Sequence, residues 1–85
     1  MQATREFRGI SKRLAVQYLE NLGGKALDGS NRVEGDGWSA SLDERKVNPV
    51  GAIRLNEVTV EFEGDAEVLE PLIENFAQKA IRAGG

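Results

Sequence analysis

The chain has 85 residues, 40% of them hydrophobic, five aromatics and a formal net charge of −3, which is one domain with room for a single modest core. It contains neither cysteine nor histidine. That removes disulfide and thiol chemistry, nearly excludes transition-metal sites and histidine-based acid–base catalysis, and makes the cytoplasm the expected compartment.

No apolar run approaches the roughly 20 residues a membrane span needs, and the N-terminal MQATREFRG lacks the apolar stretch of a signal peptide. The net charge conceals a split. Residues 1–13 carry Arg5, Arg8, Lys12 and Arg13 against Glu6 alone, whereas Glu57 to Gln78 hold seven acids and no Lys or Arg. A solvated strand face followed by an acidic first helical turn accounts for this run; a surface that steers a basic protein partner is the sharper reading. Nucleic acid is not an expected partner, because no basic stripe interleaves with aromatics.

In chain order, Thr4–Ile10 reads as a short strand anchored by Phe7. Ser11 is a good N-cap for a helix through Leu22, whose apolar positions Leu14/Ala15, Tyr18/Leu19 and Leu22 recur at helical spacing. Gly23-Gly24 ends it. Short strand candidates follow at Lys25–Leu27 and Arg32–Glu34, punctuated by Asp28-Gly29-Ser30-Asn31 and Gly35-Asp36-Gly37. Trp38–Leu42 alternates, which points Trp38, Ala40 and Leu42 inward and Ser39 and Ser41 outward. Asp43–Gly51 reads as a looser segment, since Asn48-Pro49 favours a turn and a central strand position excludes Pro49.

A long strand is expected over Ala52–Glu63. Ile53 and Leu55 are odd-numbered while Val58, Val60 and Phe62 are even, so one inward face requires a bulge around Asn56-Glu57. Asp65 then caps a final helix with its stripe at Val68/Leu69, Leu72/Ile73, Phe76/Ala77 and Ala80/Ile81. Pro71 interrupts it. The unbroken stripe favours one bent helix over a shorter helix that begins at the proline. The fold class is α+β: an antiparallel sheet in β-α-β-β-β-β-α order over residues 1–85, both helices on one face, and a short flexible tail at 83–85. The opposite face is expected to be polar, either wet or covered by a partner.

Chemistry-bearing constellations are weak. Glu34-Gly35-Asp36-Gly37 lacks the ligand spacing of a calcium loop and reads as a hairpin. Glu61 and Glu63 could form a carboxylate pair for acid–base work, but solvation explains them. Trp38 shares the parity of core positions rather than standing out as an interface anchor. No cofactor and no metal site is indicated, and an enzyme is not expected. The Arg82-Ala83-Gly84-Gly85 terminus has two readings: a helix stop with frayed glycines, or the Gly-Gly tail of ubiquitin-like proteins and sulfur carriers, whose C-terminal carboxylate is activated as an acyl-adenylate.

Tyr18-Leu19-Glu20 followed by Gly23-Gly24, the Val58-x-Val60-Glu61-x-Glu63-Gly64 run into the last helix, and the terminal glycines together resemble the C-terminal domain of proteins related to the small subunit of molybdopterin synthase, a ubiquitin-like sulfur carrier. In that family a carrier domain ending in Gly-Gly precedes a second domain of unassigned activity, and this chain resembles the second domain standing alone over nearly its whole length. The resemblance implies a fold like one repeat of the TATA-binding protein and lends no catalytic residue.

The function expected is therefore a non-catalytic accessory or interaction domain associated with molybdopterin cofactor biosynthesis or related sulfur transfer. Its partner would be the sulfur carrier, its activating enzyme or the synthase large subunit. The candidate surface is Glu61, Glu63, Asp65, Glu67 and Glu70. The alternative is a carrier or modifier activated at Gly84-Gly85; small-molecule binding between sheet and helices is a third reading. An uncovered sheet face or edge could also pair two copies as a homodimer.

Overall fold

The computed structural model, which describes residues 1–51 and 53–84, orders the chain as β1 (Gln2–Arg8), α1 (Lys12–Asn21), β2 (Lys25–Leu27), β3 (Arg32–Gly35), β4 (Trp38–Val50), β5 (Ile53–Gly64) and α2 (Ala66–Gly84). A one-turn 3-10 segment, Asp28–Ser30, joins β2 to β3. The strands form one antiparallel sheet in the order β1-β5-β4-β3-β2. The architecture is the α+β arrangement expected from the sequence. α1 carries the chain from one sheet edge to the other, and the later strands return to the middle, so β1 and β2 end up as the two edges.

α1 is held by local chemistry at both ends. Ser11 Oγ accepts the Leu14 N–H at 3.1 Å, which satisfies one of the orphan donors of the first turn. At the other end Gly23 N–H reaches Glu20 O at 3.0 Å and Gly24 N–H reaches Leu19 O at 2.9 Å. This paired arrangement needs a left-handed residue, and Gly23 has φ +102°. α2 begins beside the carbonyl of Asp65, which accepts from Val68 and Leu69, and it continues as one helix across Pro71 to Gly84.

Both helices bury their stripes on the face presented by Ala40, Leu42, Val58, Val60 and Phe62. Phe76 of α2 lies at the centre of this layer, fully buried. Its ring meets Phe7, Phe62 and Tyr18 edge-on, with centroids at 4.9, 5.8 and 6.2 Å. Such pairs contribute beyond their area. Trp38 is also core, as its parity implied, and the indole occupies space that two glycines leave open. A Cβ at Gly35 would fall 2.1 Å from the ring, and one at Gly24 would fall 2.8 Å from it.

The middle of the sequence departs from expectation. Asp43–Val50 is not a loose segment but the outer half of β4, paired with β5 as far as the turn at Gly51. Nor is there a bulge at Asn56-Glu57. Glu44 pairs Val58, Arg45 pairs Glu57 and Lys46 pairs Asn56 in unbroken register, and β1 pairs straight through Glu57 from the other side. Among the described residues the ladder is irregular between Val47 and Val50, the stretch that contains Pro49. Thirteen residues at about 3.3 Å each give β4 a length of about 43 Å, close to the 41 Å long axis of the molecule. The two strands thus form an arm that passes the end of the helical layer. The parity break in β5 marks that end: beyond Val58 the inner face has no helix over it, so polar residues occupy it, and Leu55 turns to the opposite face.

Candidate functional site

Strand alternation assigns the helix-free face without ambiguity. Its rows run Leu27–Arg32–Ser41–Glu61–Thr4 and Lys25–Glu34–Ser39–Glu63–Gln2 across the five strands. The short side chains of Ser39 and Ser41 on the middle strand leave a shallow trough of about 230 Å³, lined by Thr4, Arg32, Ser39, Ser41, Glu61 and Glu63. Arg32 Nε donates to Glu34 Oε1 at 3.0 Å on its rim. An exposed pair of this kind contributes little to stability. Glu61 and Glu63 are exposed, and neither takes part in an ion pair among the described residues.

Farther along the same face lies the one charged side chain withdrawn from water among the described residues. Glu57 is 3% exposed. Arg45 Nε donates to its Oε1 at 2.9 Å, and Arg45 Nη2 lies 2.7 Å from the same oxygen. Arg8 Nε donates to Oε2 at 3.1 Å. Arg45 also approaches Glu6 at 3.8 Å. The forked contact from Arg45 and the second bond from Arg8 hold the Glu57 carboxyl below the ordinary carboxylate range, and the same contact raises the Arg45 guanidinium. Sequence reasoning missed this cluster because it treated Glu57 as the apex of a bulge. The signal was present in the parity of Arg45 and Arg8 only once their register with β5 is known. Both carboxylate oxygens are occupied, so Glu57 is a structural ion and not a free acid or base.

The five acids proposed from sequence do not form one patch. Glu61 and Glu63 point from the helix-free face. Asp65, Glu67 and Glu70 are exposed at the start of α2, which packs on the other side of the sheet. The two sets meet only around the rim, where Asp65 N–H donates to Gly37 O at 3.2 Å. Gly64 permits that rim: its φ is +153°, and a Cβ there would meet Gly37 O at 2.3 Å. Among the described residues no group of three or more acidic side chains is placed to hold a metal ion. No described helix is long and apolar enough to cross a membrane. Gly84 closes α2, and Gly85, the second residue of the terminal pair, lies outside the described residues.

With this geometry in place, the comparison with protein families is decisive: the model for archaeal MoaD-like protein matches residues 3–85. The chain belongs to that family. Membership relates it to molybdopterin biosynthesis or sulfur carriage. No match was found among curated proteins. Within the family frame, the last described residue, Gly84, ends a helix here, whereas a β-grasp carrier places its tail after a final strand. The described sheet is antiparallel throughout.

Proposed function

We propose that this chain is a non-catalytic accessory domain that docks a protein partner in molybdopterin biosynthesis or related sulfur transfer, the partner being the sulfur carrier, its activating enzyme or the synthase large subunit. The observation that carries the reading is the helix-free face: five strands wide, polar, and bearing two adjacent carboxylates, Glu61 and Glu63, with no cation paired to them among the described residues. Across a protein interface such carboxylates govern encounter rate and orientation more than raw affinity. A partner presenting Lys or Arg to this face should bind more weakly as salt rises. Replacing both by lysine, Glu61→Lys with Glu63→Lys, is expected to slow association with the partner and to flatten or invert its salt dependence, measured by stopped-flow mixing across ionic strength. Glu67→Lys with Glu70→Lys, on the far side of the sheet, serves as the matched control. Unchanged kinetics in the first pair removes this face from the model.

Family membership favours a second reading, in which Gly85 is activated and thiocarboxylated or joined to a lysine. The intact mass of the protein from its own cells, with the C-terminal peptide sequenced, separates the two. A thiocarboxylate or an isopeptide at Gly85 selects the carrier reading, and an unmodified Gly85 in cells making the cofactor leaves the docking one.

A further inference from the structure

The cations of this acidic chain are not spread evenly. Where the β4–β5 arm passes the start of α1, the inner face of the sheet is open, and Lys46 stands directly across the ladder from Asn56. Arg54 is two residues from Asn56 along β5, on the same face and about 7 Å away. Two adjoining concavities, of about 460 and 280 Å³, share Lys46 and Asn56. The first is open and also lined by Ser11, Glu44 and Arg45, the second by Gly9, Arg54 and Leu55.

The neighbouring cations are already engaged. Arg45 is held by Glu57 on the opposite face, and Lys12 Nζ donates to Asn31 Oδ1. Lys46 and Arg54 have no hydrogen-bonded or ion-paired partner among the described residues. Ser11 Oγ accepts from Leu14, which leaves its own hydrogen to donate. The acid in the lining, Glu44, takes the Lys12 backbone N–H on Oε2 at 3.2 Å, so part of its charge is answered by α1. The smaller concavity is therefore lined by an ammonium, a guanidinium fork and an amide, and the adjoining one adds the Ser11 hydroxyl.

We propose that this groove binds a small phosphate-bearing ligand. A guanidinium and an ammonium lining the same concavity suit a single phosphate or a pyrophosphate, with the arginine supplying two parallel donors and the lysine a point charge. A nucleic acid would need a stripe of free cations, whereas the unengaged cations lining this groove are Lys46 and Arg54. A phosphate seated here gains local field against a protein whose net charge of −3 opposes anions at longer range, so binding is site-specific rather than diffuse. The site lies on the helix side of the arm, away from Glu61 and Glu63, and stands independently of the docking reading.

Titration of the isotope-labelled full chain with sodium pyrophosphate, at ionic strength held constant with chloride, tests it by amide NMR. Saturable shifts are expected at residues 9–12, 44–46 and 54–56. The Lys46→Gln with Arg54→Gln variant should weaken binding at least about tenfold, the loss of two charge-assisted contacts, while Lys25→Gln with Arg32→Gln leaves it unchanged. All four positions are exposed, so the variants are expected to fold, and their reference spectra verify that. Shifts that do not saturate, that spread equally over Arg5, Lys25 and Arg32, or that survive in the first variant overturn the proposal. So does a glutamate-rich peptide that moves the same amides where pyrophosphate does not, since the groove would then belong to an acidic protein segment.

Discussion

Glu57 and Val58 are neighbours in β5, and both are almost wholly withdrawn from water, 3% and 0% exposed. They reach that state on opposite faces by opposite means. Val58 is covered by helices, in a layer where Phe7, Phe62 and Phe76 fill space. Glu57 is covered by the two arginines that neutralise it, on a face with no second layer at all. One face is excluded from water by shape and the other, at one point, by charge. Shape-based burial is strong and insensitive to pH and salt. Charge-based burial has to offset the desolvation of three ions, so its net contribution is smaller, depends on pH, and leaves the rest of that face free for contacts.

The comparison breaks most readily in the helix-covered layer. Phe76→Ala removes the ring that joins α2 to β1 and β5 and should cost about 3–5 kcal/mol, read as a lower urea midpoint with unchanged slope. Gly35→Ala comes next. Its added methyl takes the space of the Trp38 indole, and overpacking of this kind costs about 1–3 kcal/mol; a red-shifted tryptophan emission in the folded state should accompany the loss.

The charged face gives the smallest effect and the most diagnostic one. The folded Glu57 carboxyl is held down by Arg45 and Arg8. Its stabilising contribution is therefore complete above the ordinary glutamate value of about 4.3 and is lost as pH falls through the lower folded value. Glu57→Gln should lower the melting temperature at neutral pH, and the gap to the parent should close as the solution is acidified below the carboxylate range. Glu61→Gln, exposed on the same face, should stay within about 0.5 kcal/mol of the parent at neutral pH. A Glu57→Gln gap that persists at low pH would mean that the side chain acts there by packing alone, and the contrast between the faces would collapse.

What could be read in advance follows the same division. The helices were legible because caps and stripes are local: Ser11, the Gly23-Gly24 stop and the four-residue spacing of α2 all act within a few residues. Trp38, Ala40 and Leu42 were legible because one covered face imposes alternation. The arm was not, because Asp43–Lys46 are exposed on both faces and no alternation of hydrophobicity records their pairing. For the same reason the parity switch at Asn56 looked like a bulge: the sequence marks which face is dry, and at the end of the helical layer that mark stops without any change in backbone geometry. Of the candidate site, the exposure of Glu61 and Glu63 was readable from their alternation with Val60 and Phe62. The separation of those two from Glu67 and Glu70 by the thickness of the sheet was not, since it depends on where α2 docks.

The phase of the β1 ladder has a consequence for how the sheet ends. Met1 exchanges backbone hydrogen bonds with Gly64, and Gly9 donates to Asn56, so in the strand between them it is Gln2, Thr4, Glu6 and Arg8 whose backbone groups look outward. An outward row of that length is the kind of template on which sheets grow into aggregates. Here the Arg5 guanidinium sits on the Thr4 carbonyl at 3.0 Å, and the side chains of Glu6 and Arg8 are tied back toward Arg45 and Glu57. The same ions that shield one carboxylate therefore also place fixed charge beside the open margin, and a chain seeking to pair at Thr4 must displace the Arg5 guanidinium to reach its carbonyl.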